Sequence, residues 1–177
     1  MVQTVDAQFR PLESYVRVAK AGLRSGSGWF HFSARHVDML ACADSGEARP
    51  RRPPLERATR AFGSYPLAID GWMATLFDPH DPRRQVLPDT SVSSLEFDGA
   101  GTVECLPIRF GMEHLGVESV TMAAGTFRCD HYRHLLDGSG IDHPPYETWV
   151  TADGEHTIVR ACVGGPLNYS YELVHWR

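Results

Sequence analysis

The chain lacks the signals that mark several common classes of protein. No stretch reaches the roughly 18 uninterrupted apolar residues that a membrane-spanning helix needs. The first ten residues have neither the basic start nor the apolar core of a signal peptide. No GxSxG, GxGxxG or P-loop pattern appears, which removes the usual signals for serine hydrolases and nucleotide cofactors. We therefore expect a cytoplasmic protein with no cofactor and no membrane partner.

Cysteine pairs and excess positive charge are also missing. The four cysteines form no CxxC pair, so their spacing encodes neither a zinc site nor a disulfide framework. The formal net charge is −5, which argues against nucleic acid as a partner. The one basic run, between Arg49 and Arg60, is interleaved with prolines. Such a run is typical of a solvated segment, and we expect an exposed loop over residues 43–60.

The composition is that of a globular protein, with 42% hydrophobic and 22% charged residues in 177. This length fits a single domain over residues 1–177. Near the N-terminus, Leu12, Val16, Ala19 and Leu23 recur at helical spacing, which predicts a short helix over 11–24. The same segment also alternates tolerably, so a strand there stays open.

From Gly28 onward the pattern is that of strands. Residues 29–40 form a long aromatic and β-branched run without helix capping signals, which predicts one strand. Further on, strands alternate with turn signals, of which Asp153-Gly154 is the strongest hairpin. Eight or nine strands with little helix to cover them must bury their own apolar face. We expect a mainly β fold, an antiparallel meander closing into a lipocalin-like barrel or a strongly curved sheet.

Three segments in the C-terminal part carry a resemblance to a known family. They are a "GTF" strand at Gly125–Phe127, a "WVT-DG" hairpin at Trp149–Gly154 and a closing "YEL" strand at Tyr171–Leu173. In these segments the chain resembles a bacterial domain-of-unknown-function family with a lipocalin-like or LolA-like β-barrel. The resemblance implies a barrel with an internal cavity and specifies no activity.

The predicted strand at 126–136 offers the first candidate chemistry. Alternation places His131 and Arg133 on the same face as Phe127, Cys129 and Leu135. If this face is buried, the imidazole and the guanidinium need partners or a polar ligand. The alternative is that both lie near a solvated barrel mouth.

Several other residues complete the candidate site. In the strand predicted at 29–40, neither face is purely apolar, as a ligand cavity would require, although edge exposure explains it equally well. Asp70 interrupts an apolar segment, as a turn residue before Gly71 or as a buried carboxylate able to orient a histidine. The predicted ligand-binding residues are Trp29, His31, Arg35, Trp72, Trp149 and Tyr171. No metal site is predicted, because the histidine pairs that can converge supply only two ligands.

The leading functional hypothesis is a cofactor-independent enzyme with a β-barrel pocket. It uses His131 as acid or base on a small apolar or aromatic molecule, in lyase, isomerase or hydratase chemistry. Arg133 or Arg35 holds an anionic group, Tyr146 donates a proton and Asp70 completes the catalytic set. One alternative is a non-catalytic carrier of an apolar molecule, and another is an interaction domain that docks through 43–60. A homodimer is left open.

Overall fold

The computed structural model describes residues 1–20, 23–43, 47–64, 67–78, 80–81, 84–96, 99, 101–136 and 143–176. Strands account for 57% of the described residues and helix for 7%, which confirms the mainly β fold class. The predicted turn at Asp137–Gly140 lies outside the described residues, as do residues 44–46 of the predicted loop.

The first half of the chain forms a five-stranded antiparallel sheet. Its strands follow one another in sequence order. They are β1 (Val2–Val5), β2 (Pro11–Lys20), β3 (Leu23–Phe32), β4 (Val37–Ala43) and β5 (Ala48–Arg51).

The helix predicted over 11–24 is wrong, because this segment is β2 and the start of β3. Ser14 and Val16 are buried, whereas Glu13, Tyr15 and Arg17 are exposed, so the burial period is two. The segment pairs with β1 on one side and β3 on the other. These hydrogen bonds to the adjacent strands determine the structure of the segment. The helical spacing of its apolar residues is a weaker signal and is overridden.

The single strand predicted over 29–40 is two strands joined by a tight turn. The Ser33 hydroxyl donates to the His36 carbonyl at 2.8 Å and accepts a hydrogen bond from the His36 backbone N–H. The alternation restarts after this turn, so Phe32 pairs with Val37 and both are buried. The impure alternation in the sequence therefore came from the hidden turn, and each strand separately has one buried face.

The segment at 43–60 is mostly exposed, as predicted, but part of it is a strand and not a loop. β5 pairs with β4, and three of its neighbouring arginines meet carboxylates. The contacts are Arg49 with Glu47, Arg51 with Glu104, and Arg52 with Asp38, at 2.9, 2.8 and 2.5 Å. These three arginines of the basic run are thus paired with carboxylates.

The second sheet has seven strands in the order β12-β11-β10-β9-β8-β7-β6. Its strands are β6 (Ala61–Gly63), β7 (Gln85–Val92), β8 (Leu106–Met122), β9 (Gly125–Leu135), β10 (Tyr146–Thr151), β11 (Ile158–Val163) and β12 (Tyr169–Glu172). β6 pairs with β7 in parallel, whereas β8 to β12 run as the predicted antiparallel meander. The sheet is curled, which is the strongly curved form that the sequence predicted.

The helix in the described part of the chain is a 3₁₀ helix, Leu67–Leu76. It lies in an apolar segment that the sequence had left without an assigned structure. Ile69, Gly71 and Met73 of this helix are buried. Within the described residues, no helix has both the length and the apolar character needed to cross a membrane.

The chain divides into two compact units. Unit 1 comprises Met1–Pro66 and Pro88–Ile108, and unit 2 comprises Leu67–Leu87 and Arg109–Arg177. β7 and β8 contribute residues to both, so the single domain stays a prediction.

One face of the five-stranded sheet supplies the core of unit 1. Phe30 and Phe62 are fully buried, and their ring centroids lie 5.0 Å apart. Burial of each such side chain stabilises the fold by about 1.5–3 kcal/mol. Gly28 lets Val103 approach, since a Cβ there would meet the Val103 side chain at 2.7 Å. The other face of this sheet is open.

Candidate active site

Unit 2 presents two distinct faces of the β9–β10 strand pair. The 3₁₀ helix packs on one of them, where Leu67 contacts the cluster that contains Tyr146. We call this the helix face. Across the two strands, Tyr146 pairs with His134 and Glu147 pairs with Arg133. Because neighbours alternate in direction, Tyr146 and His134 lie on the helix face, whereas Glu147 and Arg133 lie on the opposite face.

The helix face holds a carboxyl group bonded to a phenol. The Tyr146 hydroxyl donates a hydrogen bond to Oδ2 of Asp70 at 2.8 Å, joining β10 to the 3₁₀ helix. Burial raises the pKa of Asp70 to about 7, and the hydrogen bond from Tyr146 acts in the opposite direction. Asp70 is therefore divided between its acid and its carboxylate form near neutral pH, as a general acid or base requires.

A buried neutral histidine lies beside this pair. The ring centroid of His134 is 4.5 Å from that of Tyr146 and 5.4 Å from that of Phe110. Its Nε2 is 2.9 Å from the hydroxyl of Thr148, which is fully buried. Burial, with a smaller contribution from His143, lowers the pKa of His134 to about 3. His134 is thus uncharged at physiological pH and adds no positive charge beside Asp70.

The position of Asp70 depends on the glycine that follows it. A Cβ on Gly71 would lie 2.2 Å from the carbonyl oxygen of His156 and 3.1 Å from the Ile158 side chain. Only a residue without a side chain permits this approach. The Asp70-Gly71 pair is therefore not the turn that the sequence favoured. It is a close contact that places a partly buried carboxyl group against Tyr146, whereas the sequence alternative was a buried carboxylate that orients a histidine.

A pair formed by a histidine and an aspartate lies elsewhere on the helix face. Nε2 of His114 is 3.0 Å from Oδ1 of Asp130, and both side chains are partly buried. The His114 ring also contacts Phe77 and Tyr132, with centroids 5.9 and 5.2 Å away. Burial and the nearby charge of Asp130 raise the pKa of Tyr132. Aromatic rings therefore surround this histidine and hold it toward its carboxylate.

On the opposite face, His131 is held between two carboxylates. Its Nδ1 lies 3.3 Å from Glu118 and its Nε2 lies 3.1 Å from Glu147. The ring stacks on Trp149 at a centroid distance of 4.0 Å, and Trp149 donates its indole N–H to Glu118 at 2.5 Å. The guanidinium of Arg160 covers the same indole at 5.0 Å. Each ring nitrogen of His131 therefore faces a carboxylate oxygen.

Arg133 belongs to the same network. It bonds Glu147 at 3.0 Å and Glu113 at 3.3 Å, and its side chain is 45% exposed. Glu147 raises the pKa of Arg133 above its ordinary value. The partners that an inward His131 and Arg133 would need are therefore supplied by glutamates of the neighbouring strands.

The structure divides the predicted catalytic residues into two groups. Asp70 and Tyr146, which are 76 positions apart, are brought into hydrogen-bond contact. His131 and Arg133 lie together on the opposite face of the same strands. Trp149 joins them there and is buried.

The predicted ligand-binding residues are dispersed. In unit 1, Trp29 and His31 lie on the open face of the sheet, and Arg35 is exposed at the turn before β4. In unit 2, Trp72 lies in the 3₁₀ helix and Tyr171 packs beside the cluster of Tyr146. Each of these assignments stays a prediction.

Sequence reasoning missed His134 and Thr148 as members of the site. They lie on the strand faces that also carry Tyr132 and Tyr146, so two adjacent strands each present a buried aromatic beside a polar group. That shared pattern was the available signal. Among the residues that the structure describes, no three His, Cys, Asp or Glu side chains are grouped closely enough to hold a metal ion.

Comparison with protein-family models, with curated proteins and with solved structures found no match.

Proposed function

We propose that unit 2 is a cofactor-independent acid–base enzyme in which Asp70 transfers a proton to or from a small apolar or aromatic molecule. The observation that carries this proposal is the 2.8 Å hydrogen bond from Tyr146 to a carboxyl group with a pKa of about 7. A catalytic group works best when its pKa is near the operating pH.

The proposal moves the base from His131 to Asp70. His131 already has a carboxylate at each ring nitrogen, so a substrate would have to displace Glu118 or Glu147 to reach it. Asp70 has one oxygen, Oδ2, bonded to Tyr146. Proton transfer is assigned to its other oxygen, and Tyr146 is the positioning residue that orients the carboxyl group.

The chemistry suits a carbon acid, such as a C–H group next to a carbonyl. The Asp70 carboxylate accepts the proton, and the C–H electron pair moves toward the carbonyl oxygen to give an enolate. Return of the proton to the same carbon is exchange or racemisation. Where a C=C is conjugated with the enolate, return of the proton to the far carbon of that C=C is isomerase chemistry. Where the β carbon carries a leaving group, the electron pair forms a new C=C as that group departs with the proton from Asp70, which is lyase chemistry. An apolar substrate fits, because an apolar environment is what raises the pKa of the carboxyl group.

Hydrogen–deuterium exchange tests the proposal without knowledge of the natural substrate. Phenylacetone and 2-tetralone, two aromatic ketones with acidic C–H groups, are incubated with the protein in D₂O, and loss of the C–H signal is followed by proton NMR. We expect the protein to accelerate exchange, and Asp70→Asn to reduce the acceleration by about 100-fold or more. His131→Gln is the matched variant on the opposite face and should retain it.

Two results would contradict the proposal. Exchange that survives Asp70→Asn but is lost in His131→Gln would return the role of base to His131. Binding of both ketones, seen by saturation-transfer NMR, without accelerated exchange would favour the non-catalytic carrier.

A further inference from the structure

The open face of the five-stranded sheet in unit 1 carries a continuous row of apolar side chains. Val2 pairs with Tyr15, Tyr15 with Trp29, Trp29 with Leu40, and Leu40 with Pro50. The row therefore crosses all five strands in register. We call these five residues the apolar row.

The apolar row is exposed although it consists of large hydrophobic side chains. The exposed fractions are 68% for Val2, 45% for Tyr15, 37% for Trp29 and 43% for Leu40. The residues next to them along each strand, such as Phe30 and Met39, point to the other face and are buried there. A contiguous exposed apolar patch with a polar border is typical of a protein–protein interface.

A row of two acids, a histidine and an arginine borders the apolar row on the same face. Glu13 pairs with His31, and His31 pairs with Asp38. Arg52 follows β5 and bonds Asp38 at 2.5 Å, with 68% of its side chain exposed. Trp29 ties the two rows together, because its indole N–H donates to Glu13. From β2 to β5 this row reads acid, histidine, acid, arginine, and we call it the polar row.

The order of charges in the polar row matches a second copy turned by a twofold axis. An axis parallel to the strands, between β3 and β4, places β2 over β5 and β3 over β4. Glu13 then faces Arg52 of the second copy, and His31 faces Asp38. Moving the axis to β3 would instead place Glu13 over Asp38, two like charges. A guanidinium has five N–H donors, so Arg52 can bond Asp38 and a second carboxylate.

The same axis brings the apolar rows together. Trp29 of one copy covers Leu40 of the other, and Tyr15 covers Pro50. Face-to-face sheets pack about 10 Å apart with their strands nearly aligned, which suits this arrangement. At ordinary strand spacing the face is roughly 19 Å wide. Its length falls from roughly 30 Å at the ten-residue strands β2 and β3 to roughly 13 Å at the four-residue strands β1 and β5. Its area is of the same order as the ~800 Å² that each partner buries in a standard interface.

We propose that this face is the interface of a twofold-symmetric homodimer. The partner is a second copy of this chain, held by the apolar row at the centre and by Glu13–Arg52 and His31–Asp38 contacts at its border. Isologous twofold interfaces of this kind are the commonest in soluble oligomers.

The first experiment measures the mass of the intact chain by light scattering after size-exclusion chromatography, up to ~100 µM, where a dimer with a Kd of about 1 µM is almost fully associated. We expect twice the 19.7 kDa of one chain. Trp29→Asp/Leu40→Asp should be monomeric with an unchanged circular dichroism spectrum, since both side chains are exposed. Val174→Asp, at a 73% exposed position in unit 2, is the matched control and should remain dimeric. A monomeric wild type, or a dimeric double variant, would overturn the proposal.

A second experiment tests the axis itself. Glu13→Cys protein is mixed with Arg52→Cys protein and treated with a short bismaleimide, whose reach suits the ~10 Å between face-to-face sheets, and covalent dimers are resolved on denaturing gels. Each variant carries only one of the two introduced cysteines, so a link between these positions joins two chains. We expect a covalent heterodimer well above the background of wild type and of either variant alone. A dimer in solution that gives no such cross-link would overturn the proposed axis.

Discussion

The helix face and the opposite face of the β9–β10 pair hold similar residue types in different surroundings. On the opposite face, His131 contacts two glutamates and Arg133 contacts two. On the helix face, Asp70 is bonded by a phenol and His134 by a hydroxyl, both neutral partners. A charge on Asp70 or on His134 therefore has little to compensate it.

The difference shows in the pKa values. Burial moves the pKa of Asp70 up to about 7 and that of His134 down to about 3, and both shifts favour the neutral form. A paired charge on a partly exposed face is ordinary surface chemistry, and such pairs contribute little to stability. A carboxyl group whose pKa is raised by burial costs stability when it ionises. Groups with strongly shifted pKa values are concentrated at functional sites.

The largest expected effect is a gain in stability on removing the Asp70 charge. The unfolded carboxyl titrates at 3.8 and the folded one at about 7. The stabilising contribution of the protonated carboxyl is complete below the unfolded pKa and is lost as the pH rises to about 7. Asp70→Asn should therefore match wild type near pH 4 and exceed it near pH 8 by up to about 4 kcal/mol in the free energy of unfolding. Urea titrations at both pH values measure this, and equal stability near pH 8 would show that Asp70 carries no buried charge.

His134 should have the reverse dependence. Its pKa is lowered from 6.5 to about 3, so the unfolded chain binds the proton more tightly than the folded one. The stability is present above the unfolded pKa and is lost as the pH falls. Between pH 7 and pH 4, protonation linked to His134 should lower the free energy of unfolding by about 3 kcal/mol. His134→Gln, which keeps a hydrogen-bonding group near Thr148, should not show this decrease. The same urea titrations check it, and a variant with the wild-type acid slope would contradict a buried neutral imidazole.

Over part of the pH range, the free energy of unfolding of the wild type should change little with pH, although each of the two residues alone makes it pH-dependent. Between about pH 4 and pH 6.5, Asp70 and His134 change the proton balance in opposite directions and cancel. Each single variant should therefore expose the slope that the other residue causes.

Gly71→Ala should cost about 2 kcal/mol, because the new methyl group would lie 2.2 Å from the His156 carbonyl oxygen and push the 3₁₀ helix away. Gly164→Ala is the matched control, since its Cβ would meet Pro145 at an ordinary 3.4 Å. Thermal melts of the two variants give the difference. Similar melting temperatures would show that the helix is not held at this contact.

The smallest effect is expected on the opposite face. Arg133→Ala removes two partly exposed ion pairs and should change the urea midpoint less than the variants above, because exposed ion pairs contribute little to stability. A large fall in the urea midpoint would mean that the opposite face is as buried and as strained as the helix face.

The C-terminal meander was predictable because its signals are local. Asp153-Gly154 supplies the positive φ that its turn needs, at 90° for Gly154, and it follows β10 as the hairpin signal predicted. The turn at Ser33–His36 has no Gly or Pro and depends on a Ser33 hydroxyl, so one strand was expected where two occur. The N-terminal segment fitted both periods, and only its pairing partners decide between them.

The candidate site was predictable in its residues and not in its grouping. Asp70 and Tyr146 stood out as a polar residue in an apolar segment and as a phenol at a strand start. Their contact depends on a helix whose position no local pattern specifies. His131 was preferred over His134 because its strand face carries more apolar residues. Which face is covered is decided by the 3₁₀ helix, not by composition.

The most direct test is the titration of the Asp70 carboxyl carbon by NMR in ¹³C-labelled protein, assigned with Asp70→Asn. The structure predicts a midpoint at about 7, rising further in Tyr146→Phe, because the hydrogen bond from Tyr146 lowers the pKa of Asp70. A midpoint near 3.8 that Tyr146→Phe leaves unchanged would contradict both the buried carboxyl group and the acid–base function proposed for it.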